Sequence, residues 1–367
     1  MTSTTHVYII AEAGVNHNGS LDLANGLIEA AASAGVDAVK FQTFRAEEVV
    51  CRLAPKANYQ VKTGPAEESQ FDMLRKLELD ADTHQQLTKK CKKCGVDFLS
   101  TPFDLQSLDL LVNAFNLSQI KLSSGDITNA PLLLRSAQLA KPVLLSTGMS
   151  TLSDVEAALS VLAYGYIRPK ETPSAEKFRQ AYVSECGQQA LRKNVTLLHC
   201  TSEYPAPFED INLRAIETLA RTFGLPVGYS DHTVGIAVSI AAVACGATVI
   251  EKHFTLDRHL PGPDQESSVE PRELKMLVES IREVEKALGS PRKSPSTLEM
   301  ENRTVVRRSL VAACNIKRGE RFTGNNLTAK RPGTGISPIE YWEWIGQVAE
   351  RNYERDEMIL RWVSQSS

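Results

Sequence analysis

The stretch GYSDHTVGIA, residues 228–237, places three polar side chains, Ser230, Asp231 and His232, where a buried β-strand would end and a helix would begin. Seven other short runs rich in β-branched residues also end in polar or charged side chains, and segments with helical periodicity lie between them. Strict alternation of strands and helices indicates a parallel sheet, and eight such units predict a closed (β/α)8 barrel, the TIM barrel.

The predicted strands recur along most of the chain. They are residues 7–14, 37–43, 96–103, 119–126, 142–148, 195–202, 225–232 and 247–254. An open, doubly wound sheet is the alternative architecture. It would usually offer a glycine-rich first turn for a nucleotide, and neither GxGxxG nor GxxxxGK[ST] occurs in the chain.

The domain organisation follows from shifts in composition. With 367 residues, the chain is long enough for a barrel and an appendage. Residues 290–303, SPRKSPSTLEMENR, are rich in Ser, Pro and charge and predict a linker between a catalytic barrel of residues 1–289 and a compact module of residues 304–367. Two long connections, residues 45–75 and 165–193, are expected to build lids or rim walls.

Composition also limits the cellular context and the partners. The net charge of −3 gives no electrostatic reason to expect a nucleic acid or an anionic membrane as a partner. The N-terminal residues lack the features of a signal peptide, and no run reaches the roughly 20 apolar residues of a membrane-spanning helix. Seven cysteines, an odd number, favour reduced thiols. We therefore expect a cytoplasmic protein.

Two lysines at predicted strand ends carry the first functional signal. Lys40 in AVKFQ and Lys121 in QIKLS are flanked by apolar residues, and a buried lysine needs an anionic partner. One interpretation is a cradle for a phosphate or carboxylate, completed by serine and threonine hydroxyl groups. The alternative is that each lysine pairs with a neighbouring carboxylate of the protein.

Two histidines carry the second signal. His232 and His253 end the seventh and eighth strands, which are neighbours in a barrel, so their rings can approach one point. Two imidazoles with oxygen donors nearby suit a divalent ion such as Mn²⁺. The candidate oxygen donors are Glu12, Asp231, Glu251, Asp264 and water. A hydrogen-bonding role at the rim is the alternative for each histidine.

The motifs that surround these residues resemble those of the sialic acid synthase family. They include IAEAGVNHNGS, VKFQT, STPFD, KLSSGD, LSTGM, GYSDHT, EKHF and PGPD. The segment SLVAACNIKRGERFTGNNLTAKRPGTGI resembles the antifreeze-like (SAF, β-clip) domain that follows the barrel in that family. The resemblance implies a metal-dependent condensation of phosphoenolpyruvate with N-acetylmannosamine to give N-acetylneuraminate and phosphate. Some bacterial members instead use a legionaminic acid precursor, 2,4-diacetamido-2,4,6-trideoxymannose.

The resemblance also implies roles for individual residues. His232 and His253 correspond to ligands of the metal, with Mn²⁺ as the first choice and Mg²⁺ or Co²⁺ as alternatives, and the catalytic groups are Glu12, Lys40, Lys121 and Asp264. The substrate-binding positions are Gln42, Thr101, Ser124, Asp126, Ser146, Ser202, Tyr204, Ser230 and Arg331. Asp126 and Ser202 stand where some members have Glu and Asn. Arg331 corresponds to an arginine that reaches the sugar in the other subunit of a domain-swapped homodimer.

Two other functions are compatible with the same residues. A Schiff-base aldolase would use free pyruvate, with Lys40 or Lys121 as the nucleophile. A sugar-binding protein on the same fold would have lost catalysis altogether.

Overall fold

The computed structural model of the chain describes residues 6–56 and 68–361. It divides into two compact units, residues 1–289 and residues 290–367. Within the described residues, no helix is long and apolar enough to cross a membrane. The seven cysteines, all of them described, are free.

The first unit is a barrel of eight parallel strands. They are β1 (Tyr8–Gly14), β2 (Ala38–Thr43), β3 (Asp97–Pro102), β4 (Ile120–Leu122), β5 (Val143–Ser146), β6 (Val195–His199), β7 (Val227–Asp231) and β8 (Val249–His253). Hydrogen bonds connect them in the order β3-β2-β1-β8-β7-β6-β5-β4, and β3 packs against β4. The predicted TIM barrel is confirmed.

Helices surround and connect these strands. They are α1 (Leu21–Ala34), α2 (Ala46–Val49), α3 (Gln70–Leu77), α4 (Ala81–Cys94), α5 (Leu105–Asn113), α6 (Ala130–Gln138), α7 (Leu152–Ile167), α8 (Ala175–Val183), α9 (Glu185–Asn194), α10 (Ala215–Phe223), α11 (Ala237–Ala244) and α12 (Pro271–Leu288). Local chemistry sets their limits. The Ser20 hydroxyl caps the start of α1 by accepting a backbone N–H, and Gly35 ends the helix in the left-handed conformation.

The two long connections have different positions. Residues 175–194 form α8 and α9, which pack against α7 in the helical layer, and they are not among the residues that line the main cavity described below. The expectation of a lid or rim wall is therefore wrong for this insertion. The connection after β2 instead supplies α2 and α3, and both helices contribute residues to that cavity. Its residues 57–67 lie outside the described residues.

The fourth strand is shorter than predicted. The sequence analysis extended it through residue 126, but it ends at Leu122 and the chain turns into a 3₁₀-helix at Ser124–Asp126. Asp126 stabilises this turn, because its carboxylate accepts hydrogen bonds from the Ser123 hydroxyl at 2.7 Å and the Asn129 amide at 3.2 Å. Such side-chain bonds compete with the continuation of a strand.

The second unit contains a two-stranded antiparallel sheet of β9 (Ser309–Ala312) and β10 (Leu327–Lys330), followed by the short helix α14 (Tyr341–Trp344). Its small core includes Leu310, Phe322 and Ile359. The second half of the stretch predicted as a linker, residues 290–303, belongs to helix α13 (Thr297–Val306), which extends three residues beyond it. A capping box explains this helix, because Ser296 and Glu299 bond reciprocally to each other's backbone N–H groups.

An ion pair between β7 and β8 fastens the strands that carry the two site histidines. Asp231 and Lys252 are fully buried, with 3.0 Å between Asp231 Oδ2 and Lys252 Nζ. The Asp231 carboxylate also accepts hydrogen bonds from the Thr233 backbone and from the Ser239 hydroxyl of α11. The sequence made Asp231 a candidate metal donor, and in the structure it is a structural anchor.

We predict that Asp231→Asn lowers the free energy of unfolding of the barrel by about 3–5 kcal/mol, because it leaves the Lys252 charge buried without its counter-ion. The matched control is Glu217→Gln, which removes an exposed ion pair with Arg221 and should change the stability by less than about 1 kcal/mol. Urea unfolding followed by circular dichroism measures both. Equal effects of the two substitutions would contradict the anchoring role.

Candidate active site

Strand geometry decides which polar residues share the interior. Successive side chains of a strand point to opposite sides, so Asp231 and Lys252 face one way while Ser230 and Glu251 face the other. His232 and His253 continue the inner face at the strand ends. The residues that looked like one polar cluster in the sequence are therefore divided between the site and the surrounding structure.

A cavity of about 510 Å³ lies at the carboxyl ends of the strands. Most of the predicted site residues line it: Glu12, Lys40, Gln42, Thr101, Lys121, Ser124, Ser146, Ser202, Tyr204, Ser230, His232, His253 and Asp264. Two predicted residues do not. Asp126 belongs to the turn after β4, and Arg331 is exposed in the second unit.

Two lysines and two glutamates form the floor of the cavity. The Lys40 Nζ atom lies 2.7 Å from Glu12 Oε2 and 3.7 Å from Glu251 Oε2. The Lys121 Nζ atom lies 3.4 Å from Glu251 Oε1, so Glu251 stands between the two lysines. All four side chains are at most 5% exposed. Their formal charges cancel, which is what burial requires.

Hydroxyl groups complete this floor. Lys40 donates to Thr101 Oγ1 at 2.9 Å, and Ser230 donates to Glu251 Oε1 at 2.8 Å. The buried Ser146 hydroxyl has no hydrogen-bond partner among the described residues. The Ser124 hydroxyl accepts the Gly148 backbone N–H at 3.0 Å and lies 3.0 Å from Cys200 Sγ. Lysine and hydroxyl donors gathered in one buried place suit the oxygen atoms of a phosphate or carboxylate.

Burial and neighbouring charges shift the pKa values of the residues that form this floor. Burial acts to raise the pKa of Glu251, but the Lys121 and Lys40 charges outweigh burial and hold that pKa below its ordinary value. Burial acts to lower the pKa of Lys40, but its carboxylate neighbours raise it above the ordinary value. Lys121 faces fewer carboxylates, and burial lowers its pKa. Glu251 and Lys40 are therefore charged at neutral pH.

Two further carboxylic acids beside the floor titrate higher than usual. Burial raises the pKa of Glu12, and the attraction of Lys40 opposes this only in part. Burial also raises the pKa of Asp264, to about 6. A carboxylate with a pKa near neutrality can accept and return a proton under physiological conditions.

The rings of His232 and His253 approach each other at the cavity wall, with 5.4 Å between their centroids. His232 Nδ1 lies 2.6 Å from the Thr201 carbonyl oxygen, which holds the proton on that nitrogen. The unprotonated Nε2 atom lies 3.3 Å from the Ser230 hydroxyl oxygen. His253 Nδ1 is buried and lies 3.8 Å from Asp264 Oδ2, and it makes no hydrogen bond within the part of the chain that the structure describes. Burial lowers the pKa of both rings, so both are neutral at pH 7.

These donors are compatible with a divalent ion, although they do not form a complete ligand set. Neutral imidazole is the metal-binding form of histidine, and His232 has the second hydrogen bond that commonly orients a ligand. No group of three or more His, Cys, Asp or Glu side chains in the described residues is arranged to hold a metal ion. An ion on the two histidines would therefore complete its coordination with water or substrate oxygen atoms.

Tyr204 covers the histidine pair. Its ring stacks on His232 with 4.1 Å between the centroids and meets His253 edge-on at 5.4 Å. Tyr204 therefore limits the space above the histidines.

Gly14 makes room at the junction of three site residues. An added Cβ atom would lie 3.2 Å from Glu12 Oε1, 3.4 Å from Gln42 Nε2 and 3.7 Å from Asp264 Oδ2. The backbone here has a φ of +51°, which glycine adopts without strain. Both the conformation and the space thus favour glycine at this position.

Sequence reasoning missed two parts of the site. Glu251 was noted only as a strand-end residue and a possible metal donor, although it is the partner of both lysines. The two-residue period could have placed it on the same face as His253. The apolar side chains of the cavity were also missed, because they come from several separate segments.

Comparisons with known proteins agree with this architecture. The model of the NeuB family matches residues 27–293. The chain belongs to the NeuB family. The model of the SAF domain matches residues 307–361, which confirms the predicted type of the C-terminal domain.

Relatives of this family member are similar over nearly their whole length. An N,N'-diacetyllegionaminic acid synthase of Campylobacter jejuni is 51% identical, with 96% of this chain and 98% of the relative covered. A synthase of the same name from Legionella pneumophila is 42% identical, covering 98% of this chain and 94% of the relative. The solved N-acetylneuraminic acid synthetase of Leptospira borgpetersenii, in complex with citrate, is 34% identical, with a TM-score of 0.66 over 82% of this chain and 90% of that structure.

We predict that Gly14→Ala destabilises the barrel more than Gly224→Ala does. Both glycines have positive φ angles, so each alanine should cost about 1–2 kcal/mol of strain. Only Gly14 is crowded, since nothing lies within 4 Å of a Cβ atom added at Gly224. Unfolding free energies of the two variants give the comparison, and an equal or smaller loss at Gly14 would refute the packing argument.

Proposed function

We propose that the chain condenses phosphoenolpyruvate with 2,4-diacetamido-2,4,6-trideoxymannose to give N,N'-diacetyllegionaminate and phosphate. The observation that carries the reaction type is the buried floor on which Lys40 and Lys121 flank Glu251 beside two neutral imidazoles. The two legionaminic acid synthases, 51% and 42% identical over nearly the whole chain, support the choice of sugar.

N-acetylmannosamine is the second candidate sugar, with N-acetylneuraminate as the product. This was the principal expectation from the sequence motifs. The similarity to the Leptospira borgpetersenii synthetase favours it, but at 34% identity that similarity is more distant. The comparisons therefore support the alternative sugar better than the principal one.

The lysines are proposed to hold the two anionic groups of phosphoenolpyruvate. Lys40 and Lys121 would exchange part of their contact with Glu12 and Glu251 for the phosphate and carboxylate oxygens. The hydroxyl groups that line the same region are available to complete the cradle: Thr101, Ser124, Ser146 and Ser230. Fixing both ends of the enol phosphate directs its C3 atom at the sugar aldehyde.

The proposed reaction consumes one water molecule: it forms a carbon–carbon bond and a bond from C2 to the water oxygen, and it breaks the bond from C2 to the phosphate oxygen. C3 of phosphoenolpyruvate attacks the aldehyde carbon, and the aldehyde oxygen takes up a proton. Water adds to C2, and its proton passes to Glu12 or Asp264, whose pKa values burial raises. The tetrahedral carbon then expels phosphate and becomes a ketone. Gln42, Ser202 and Tyr204 line the space left for the sugar.

His232 and His253 are proposed to hold a divalent cation, with Mn²⁺ the first choice and Mg²⁺ or Co²⁺ as alternatives. Such an ion supplies Lewis-acid polarisation of the sugar aldehyde. The protein's part is to present two neutral imidazoles, one of them oriented by the Thr201 carbonyl group.

The proposal extends to a homodimer in which Arg331 contacts the sugar in the partner's site. Arg331 follows β10 and is exposed in the second unit. A guanidinium group suits a carbonyl or hydroxyl oxygen because it presents several fixed donors. The basis for this part is the resemblance of the segment around KRPG to the family's domain.

Phosphate release from phosphoenolpyruvate, measured with a panel of N-acetylated hexosamines, tests the proposed function. We expect release with the diacetamido sugar, less with N-acetylmannosamine, and none without a sugar. EDTA should abolish it and added Mn²⁺ should restore it. Borohydride trapping of pyruvate on the protein, together with indifference to EDTA, would instead indicate a Schiff-base aldolase. Sugar binding without phosphate release would indicate a binding protein.

The metal part of the proposal is tested with His232→Ala. We expect this variant to lose Mn²⁺ uptake, measured by elemental analysis after gel filtration, and to lose phosphate release. His259→Ala, which removes an exposed histidine, is the matched control and should retain both. Full Mn²⁺ content in His232→Ala would remove that residue from the ligand set.

A further inference from the structure

The cavity has an apolar part that the proposed chemistry does not use. Six of the apolar lining residues form one cluster, and we call them the apolar wall: Val15, Phe44, Met73, Leu74, Leu77 and Phe103. They pack as one cluster that is separate from the main hydrophobic core of the barrel. The six residues are therefore not part of the hydrophobic core that packs the barrel.

The apolar wall is built where the first three strands end. Val15 follows β1, Phe44 follows β2 and Phe103 follows β3, while the other three residues come from α3. The Phe44 and Phe103 rings meet edge-on at a centroid distance of 6.1 Å. Three strand ends and a helix thus place apolar side chains beside the reaction site.

The wall is continuous with the polar site through Gly14. Val15 is its neighbour in the chain, and the Glu12, Gln42 and Asp264 side chains surround the Gly14 position. A sugar whose aldehyde lies near these groups would extend its far end within the same cavity, towards the wall. The far end of a hexose carries the C4 and C6 substituents.

The six side chains contain no nitrogen or oxygen atom, so they cannot replace the water that a hydroxyl group loses on burial. A methyl group gains free energy on burial. Gln70, at the start of α3, lines the same side of the cavity. A 2,4-diacetamido-2,4,6-trideoxy sugar carries two methyl groups at its far end, one at C6 and one on the 4-acetamido group.

We infer that the apolar wall determines sugar specificity by binding the C6 methyl and the 4-acetamido methyl group of the acceptor sugar. This inference rests on the proposed function, since it concerns the second substrate of that reaction. Burial of two methyl groups corresponds to a preference on the order of tenfold in kcat/KM over a sugar that lacks them.

Met73 offers the cleanest test, because glutamine has a similar length and adds an amide. Met73 is 8% exposed and belongs to the wall rather than to the barrel core. The experiment measures kcat/KM from phosphate release for three acceptors: the diacetamido-trideoxy sugar, N-acetylmannosamine and its 6-deoxy analogue. The variants are Met73→Gln, the apolar replacement Met73→Leu, and Met276→Gln as a control at an exposed position of α12.

We expect Met73→Gln to lower the kcat/KM ratio of the diacetamido sugar to N-acetylmannosamine by about tenfold. The ratio of the 6-deoxy analogue to N-acetylmannosamine should fall in the same direction, and the KM for phosphoenolpyruvate should not change. Met73→Leu and Met276→Gln should keep the wild-type ratios. Unchanged ratios in a folded and active Met73→Gln would overturn the inference.

Failure of the inference and failure of the proposed function can be distinguished. Wild-type protein that is inactive on the diacetamido sugar would overturn the proposed choice of sugar. The wall would still be supported if Met73→Gln then changed the ratio between the 6-deoxy analogue and N-acetylmannosamine. Suppose instead that the wild-type protein is active on the diacetamido sugar and that Met73→Gln leaves the kcat/KM ratios unchanged. This result would overturn the inference about the apolar wall and leave the proposed function standing.

Discussion

Mutual pairing of four buried ionisable side chains is the constraint on which this site depends. Lys40 and Lys121 can be buried at the end of the barrel only because Glu12 and Glu251 lie within ion-pair distance of them. A single uncompensated charge in this position would cost several kcal/mol. Glu251 is the central residue of this group, since its carboxylate lies within ion-pair distance of both lysines. The same arrangement prepares the protein for an anionic ligand, because Lys40 is already charged and the Nζ atoms of both lysines are held in place.

The barrel makes this arrangement possible by dividing the polar residues of each strand end between two environments. On β7 and β8, one set faces inward and forms the site, while Asp231 and Lys252 face outward and fasten the strands to each other. The histidines are thus held by strands that have their own buried ion pair. Precise placement of reactive groups needs such support from the surrounding structure. Segments such as SDHT and EKHF therefore contain both the residues that fasten the strands and the histidines that line the site.

Much of this could be predicted from the sequence, and the exceptions have physical reasons. The regular recurrence of strands predicts the barrel, and isolated lysines and histidines at strand ends predict the polar half of the cavity. Both interpretations of the lysines remain useful, since the ion pairs with glutamates are observed and the anion cradle is part of the proposal. The apolar wall could not be predicted, because Val15 and Met73 meet only through the three-dimensional fold. Helix α13 was missed because its capping box, Ser296 with Glu299, lies in a stretch whose composition suggests a linker.

Binding of phosphoenolpyruvate to a lysine variant tests the central claim most directly. Isothermal titration of the ligand into wild-type protein and Lys121→Met, with exposed Lys275→Met as a control, measures the dissociation constant without turnover. If the lysines around Glu251 form the anion cradle, Lys121→Met should weaken binding by on the order of 30-fold or more, and Lys275→Met should not change it. An unchanged dissociation constant in a folded Lys121→Met protein would contradict the account.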